Sequence, residues 1–120
     1  MELRKRIQLL VEGKVIFPEV GTMINRLISY FESKQPNLIR DEQFEMFITH
    51  LAMAVQRLTN GEELSRTIED SIFAEVQAAV SYDSAGQICS EMEQELGCNL
   101  PECEKRYILL HLCNLIQKGE

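Results

Sequence analysis

Histidine is scarce in this chain, with two in 120 residues, and proline nearly as scarce, with three. With prolines only at 18, 36 and 101, long stretches stay able to form helix without interruption. Sustained alternation of apolar and polar residues is missing, which argues against half-buried strands. No apolar run approaches the ~20 residues that cross a bilayer, and the N-terminus lacks the layout of a secretory signal. A cytoplasmic protein that neither spans nor binds a membrane is therefore expected. Basic charge is also short: the formal net charge is −7. Phosphate contacts need a basic face, so direct nucleic-acid binding is not expected. The single basic cluster, Arg4-Lys5-Arg6, reads as a solvated helix start rather than a docking arm. A glycine-rich phosphate loop, a kinase signature and clustered acids for magnesium are all absent, and no enzymatic role is expected.

The four cysteines, Cys89, Cys98, Cys103 and Cys113, form no C-x-x-C pair. In a cytosolic chain disulfides are not expected. A zinc site from Cys98, Cys103 and His111 would have poor ligand spacing, so neither metal nor other cofactor is expected. Cys89 and Cys113 fall on helical stretches and read as small core residues.

What is present is helix. With 45% hydrophobic and 26% charged residues, the composition is that of one globular domain, residues 1–120, large enough to bury a core. Leu3, Ile7, Leu10 and Val11 give helical spacing from Glu2 to Glu12. A second segment runs from about Pro18 to Ser33, with Val20, Ile24, Leu27, Ile28 and Phe31 on one face. After the connection Gln35-Pro36-Asn37, Asp41 is placed to cap a third helix that ends at Asn60-Gly61. A loop over Glu62 to Ser65 leads to a fourth, from about Thr67 to Val80. Ser81-Tyr82-Asp83 reads as a break, with Asp83 or Ser84 capping a fifth that stops at Gly97. Pro101 opens the last at its first turn. The expected fold is all-α: a short N-terminal helix, residues 1–12, and a core bundle of five principal helices over residues 13–117.

Both histidines lie in helical, apolar segments. Around His50, the residues Phe44, Phe47, Ile48, Leu51, Val55 and Leu58 form the core stripe. At ~100° per residue His50 sits roughly 105° from its middle, on the border. Met46, His50, Met53 and Arg57 form a second line on what should be the wet face. Methionine and arginine are enriched at protein interfaces, so this line is either a wide core edge or a subunit contact past an accessible imidazole. In the last helix Ile108, Leu109, Leu112, Cys113, Leu115 and Ile116 cover most of the circumference. Glu104, His111 and Lys118 make a charged stripe at its edge, where Glu104 is a candidate for orienting the ring. Tyr107, four residues before His111, either shields that site or fills the core.

The segment His50-Leu-Ala-Met-Ala-Val-Gln-Arg57-Leu is similar to the first histidine element of the PTS regulation domain. Leu100-Pro101, Glu104 and Tyr107-Ile-Leu-Leu-His111-Leu resemble its second. Together, about sixty residues apart and in the right order, they extend the resemblance over roughly Val11 to Gln117. This family occurs in bacterial antiterminators and transcriptional activators that sense the sugar phosphotransferase system. The resemblance implies a dimer formed through histidine-bearing surfaces, and the subunit-contact reading of the line through His50 puts Met46 and Met53 in that contact. His50 and His111 would be phospho-acceptors, charged by HPr or a sugar-specific enzyme II component, with Arg57 and Glu104 in the accompanying charged positions. Thr49 stands where the family often carries an acidic residue. The expected role is a phosphorylated sensor acting on a transcriptional or protein partner. The alternatives are a non-phosphorylated adaptor dimer and, further off, a small all-α metal protein.

Overall fold

Asp41 caps as its position requires, its carboxylate accepting from the Gln43 N–H at 2.8 Å. The computed structural model in which this is seen describes residues 2–62 and 68–118. Its elements are α1 (Leu3–Glu12), α2 (Pro18–Lys34), a 3-10 turn (Leu38–Arg40), α3 (Glu42–Thr59), α4 (Asp70–Gln77), α5 (Tyr82–Leu96) and α6 (Glu102–Lys118). No strand occurs among the described residues, and the fold is all-α. Among the described residues, no helix is long and apolar enough to cross a membrane.

The chain divides into two compact units, Met1–Glu63 and Leu64–Glu120. In the first, α1 packs on α2 through Ile7, which is fully buried, and Gly21. A Cβ at Gly21 would stand 2.7 Å from Val11 Cγ2, so the close approach of the two helices requires glycine there. Arg4 reinforces the contact with a two-pronged bond to Glu32, at 2.7 and 2.9 Å, and a third to Ser29 Oγ. Burial of α2 against α3 is carried by Ile24, Leu27, Ile48 and Leu51, with Phe31 and Phe44 meeting edge to face at 5.0 Å. Buried Gln56 of α3 accepts the Phe17 N–H at 2.7 Å, which ties down the chain just before Pro18 opens α2.

In the second unit, α5 and α6 form an antiparallel pair around Ile88, Met92, Leu96, Ile108 and Leu112. Gly97 ends α5 with φ +73°, a conformation that favours glycine. Glu93 fixes the turn that follows: it accepts the Leu100 N–H at 2.7 Å and pairs with Lys105 at 3.6 Å. Arg106 lies over the Phe73 ring, 4.6 Å from its centre, and bonds Asp70 and the Ile68 carbonyl, so α6 holds the start of α4.

The helices differ from the sequence expectation in detail. The 3-10 turn was not foreseen, because three residues after a proline carry no periodic pattern. The fourth helix is shorter than expected and ends at Gln77, leaving Val80 98% exposed. Its expected start at Thr67 lies outside the described residues. Helix α5 begins two or three residues earlier than Asp83 or Ser84 would place it, with Ser81 in the cap position. The Ser81 hydroxyl does not cap; it donates to the Cys113 carbonyl at 3.5 Å and is buried.

Candidate functional site

Helix α3 presents the first histidine because its core stripe is buried where the sequence puts it. Phe44, Phe47, Ile48, Leu51 and Val55 are all buried, and Leu58 is half-buried. One border over, His50 is half-buried, as is Met53. Met46 is 71% exposed, and Arg57 is exposed with no ion pair among the described residues. The line Met46, His50, Met53, Arg57 is therefore an edge open to solvent, with a cation two turns past the imidazole. His50 lies on the N-terminal side of Arg57, the side toward which helical side chains in general lean.

Thr49 is held from two sides. Its hydroxyl donates to the Glu45 carbonyl at 2.8 Å and accepts from Arg6 Nη1 at 3.4 Å. The other guanidinium nitrogen of Arg6 stands 3.8 Å from the Glu45 carboxylate. A cation from α1 thus sits beside the residue that precedes His50, where an acidic side chain was the family expectation. No local pattern signals this contact, which spans 43 positions. Nor is the basic cluster at the N-terminus simply solvated: Arg4 and Arg6 are both engaged within the first unit, and Lys5 alone is exposed.

Helix α6 presents the second histidine in the second unit. Ile108, Leu109, Leu112, Cys113 and Leu115 are buried, Ile116 is half-buried, and His111 is half-buried at their margin. Glu104 is only 6% exposed. A rise of 1.5 Å per residue places it about 10.5 Å along the axis from His111. Tyr107 stands against the imidazole, with ring centres 4.2 Å apart and planes tilted by 46°. Tyr107 is itself half-buried, so it belongs to the margin with His111 and not to the core.

No three His, Cys, Asp or Glu side chains converge in a way that would hold a metal, among the described residues. Burial, then the nearby Glu93 carboxylate, pushes the Cys89 thiol up to about 11. Cys98 is raised by the same two causes. Neither is poised as a nucleophile.

The PRD domain family model matches residues 23–115, a span that includes both histidines and their charged companions. The chain belongs to the PRD family. Among curated relatives, this PRD is 26% identical over 113 residues to the protein YhfY of Escherichia coli (strain K12), covering 94% of this chain and 93% of that one. It is 26% identical over 100 residues to protein GlcT of Staphylococcus saprophyticus, covering 82% of this chain and 36% of GlcT. A GlcA/glcB genes antiterminator of Staphylococcus carnosus is 28% identical over 78 residues, or 65% of this PRD and 27% of the antiterminator. This PRD thus spans nearly all of YhfY and about a third or less of the other two. No solved structure matches it.

Proposed function

We propose that this PRD is a regulatory domain switched by histidine phosphorylation, with His50 and His111 as phospho-acceptors. The observation that carries the reading is that each histidine of the family-matched span stands half-exposed at the margin of an otherwise buried helix face. A neutral imidazole has an in-plane lone pair to offer an incoming phosphoryl group. The donor is HPr or a sugar-specific enzyme II component of the phosphotransferase system, in keeping with the family. Arg57 supports the charge gained at His50, and Glu104 supports His111 from two turns away.

The output is a change in association. A phosphoryl group adds close to two negative charges and three strong acceptor oxygens. Two such groups ~10 Å apart across a dimer seam would repel by about 1.7 kcal/mol even in unscreened water, and by more where the seam is dry. Capture by Arg57 would act in the opposite sense. Either shift is large enough to bias a packing equilibrium by tenfold or more. The seam we assign to the exposed edge of α3, with Met46 and Met53 in contact. The antiterminator named among the relatives supports a transcriptional setting, and the partner is a regulator or its protein target rather than nucleic acid bound directly. No step requires the domain to act as an enzyme; it receives the phosphoryl group from another protein.

Incubation with phosphoenolpyruvate, enzyme I and HPr, then with an enzyme II component in place of HPr as final donor, tests this directly. Acid-labile phosphate is expected, with one increment lost in His50→Ala and one in His111→Ala. No incorporation from either donor would leave the adaptor reading, in which the fold is kept without the signal.

A further inference from the structure

A protein that delivers a phosphoryl group closes on its acceptor with a face, not a point. Even a weak, transient complex buries up to roughly 600 Å² on each partner, a disc reaching about 14 Å from its centre. Whatever docks on His111 covers the surface within that radius. Affinity inside such a footprint comes mostly from a few side chains seated in recesses.

A recess of this kind lies beside His111 in the second unit. A groove of about 190 Å³ runs between α4 and α6. Ile72, Glu75, Val76 and Ala79 line one wall, and Leu110 and Asn114 the other. Asn114 follows His111 by three residues on α6, and residues three apart are surface neighbours with Cβ atoms about 5–6 Å apart. The groove therefore opens inside the footprint of any protein centred on the imidazole. Its walls carry apolar surface that solvent reaches. Helix α4 buries Phe73 and Val76, yet Ile72 stays 44% exposed, and Val80 just past the helix is 98% exposed. Exposed apolar surface at the lip of a concavity is the mark of a contact site.

Size and charge narrow the occupant. Small-molecule pockets run to roughly 300–1,000 Å³, whereas a dry cavity of about 150 Å³ takes one benzene ring. The groove thus fits one large apolar side chain of a protein. Glu75 is exposed on the rim, and the unit around it has four basic against ten acidic residues. A second copy of this unit would bring the same sign of charge and be repelled, whereas a basic flank is attracted.

We propose that the groove between α4 and α6 seats the protein that phosphorylates His111, which inserts an apolar side chain there beside a basic flank. The inference rests on the phosphorylation reading above. Docking itself changes no bond. In the transfer that follows, an imidazole lone pair forms the P–N bond while the donor's bond to phosphorus breaks and its electron pair returns to the donor. The proton on the other ring nitrogen passes to solvent.

The test uses the full chain with Ile72→Ala, Ile72→Glu, Ile72→Leu, Glu75→Gln and Ala74→Glu. Ala74 is exposed and sits about 200° around α4 from Ile72, so Ala74→Glu adds the same charge away from the groove. Melting curves check that each variant is folded. Phosphorylated HPr, and then a phosphorylated enzyme II component, serve as donors, and site-resolved mass analysis gives rates at His111 and His50. Methyl spectra of the domain titrated with each unphosphorylated donor report where it binds.

For the donor that charges His111, shifts are expected at the methyls of Ile72, Val76, Ala79 and Leu110. Ile72→Ala is expected to raise the half-saturating donor concentration at His111 by about three- to tenfold, and Ile72→Glu by more, with the maximal rate and the rate at His50 unchanged. Ile72→Leu and Ala74→Glu should behave as wild type. Added salt should weaken docking, and less so in Glu75→Gln. The docking proposal alone is overturned if His111 is phosphorylated while Ile72→Glu acts no differently from Ala74→Glu, or while the groove methyls stay silent. It is overturned equally if Ile72→Glu halves the mass seen by light scattering, which makes a second copy the occupant. Phosphate on neither histidine from both donors overturns the phosphorylation reading as well.

Discussion

Arg57 and Cys89 are the residues whose surroundings translate most directly into measurement. Arg57 is exposed, has no ion pair among the described residues and follows His50 by two turns on the same stripe. Arg57→Gln is expected to leave thermal stability within about 0.5 kcal/mol, as for most surface changes. The same change should lower the steady-state phosphate on His50 several-fold without altering His111, which site-resolved mass analysis checks. Cys89 answers to pH. With its pKa pushed to about 11, about one thiol in a thousand is ionised at pH 8, and iodoacetamide should spare it in the folded protein. The native state keeps the Cys89 proton in the interval where an unfolded chain would already have lost it. Stability is therefore expected to fall as pH rises from about 9 to about 11, and melting curves at the two ends of that interval check the sign.

At the scale of helices, the contact of α1 with α2 gives a prediction that changes sign. Alanine in place of a helical glycine gains about 1 kcal/mol from backbone entropy alone. At Gly21 the added Cβ would collide with Val11 Cγ2 at 2.7 Å, and Val11 is β-branched and stiff within a helix. Gly21→Ala is expected to destabilise by about 1–2 kcal/mol, and to stabilise by up to about 1 kcal/mol when Val11→Ala has made room. Denaturant titration of the four proteins of that cycle decides it. Most of the elements were legible in the sequence. Asp41, Gly97 and the apolar spacing of the second, third, fifth and sixth segments give helix ends within three residues of those found, because caps and periodicity are local signals. What lay beyond local reach was not legible. The Arg6 contact joins residues 43 apart, and the hydroxyl of Ser81 turns to a carbonyl 32 positions away instead of capping. The histidine borders belong to the legible part, since a stripe and its margin follow from one helix alone. Tyr107 was legible as a neighbour by its four-residue spacing, but whether it faced core or imidazole depended on packing.

Charge is unevenly shared across the whole molecule. The first unit carries eight basic against nine acidic residues, and the second four against ten. A phosphoryl group on His111 adds to an already acidic unit, whereas one on His50 joins a unit close to neutrality. The dimer we propose should therefore respond more to His50. Light scattering at micromolar concentration is expected to give twice the mass of one chain, and Met46→Glu combined with Met53→Glu to give the mass of one. A monomeric wild type would remove the assigned seam. The burial of Ile7 against Gly21 has a practical corollary for anyone designing expression fragments. The family match begins at residue 23, part-way along α2, and leaves out Ile7, Ile16 and Val20, all buried. A clone trimmed to the edges of homology would start with a severed helix and a bare oily flank. Such a fragment should precipitate, and its failure would say nothing about phosphate.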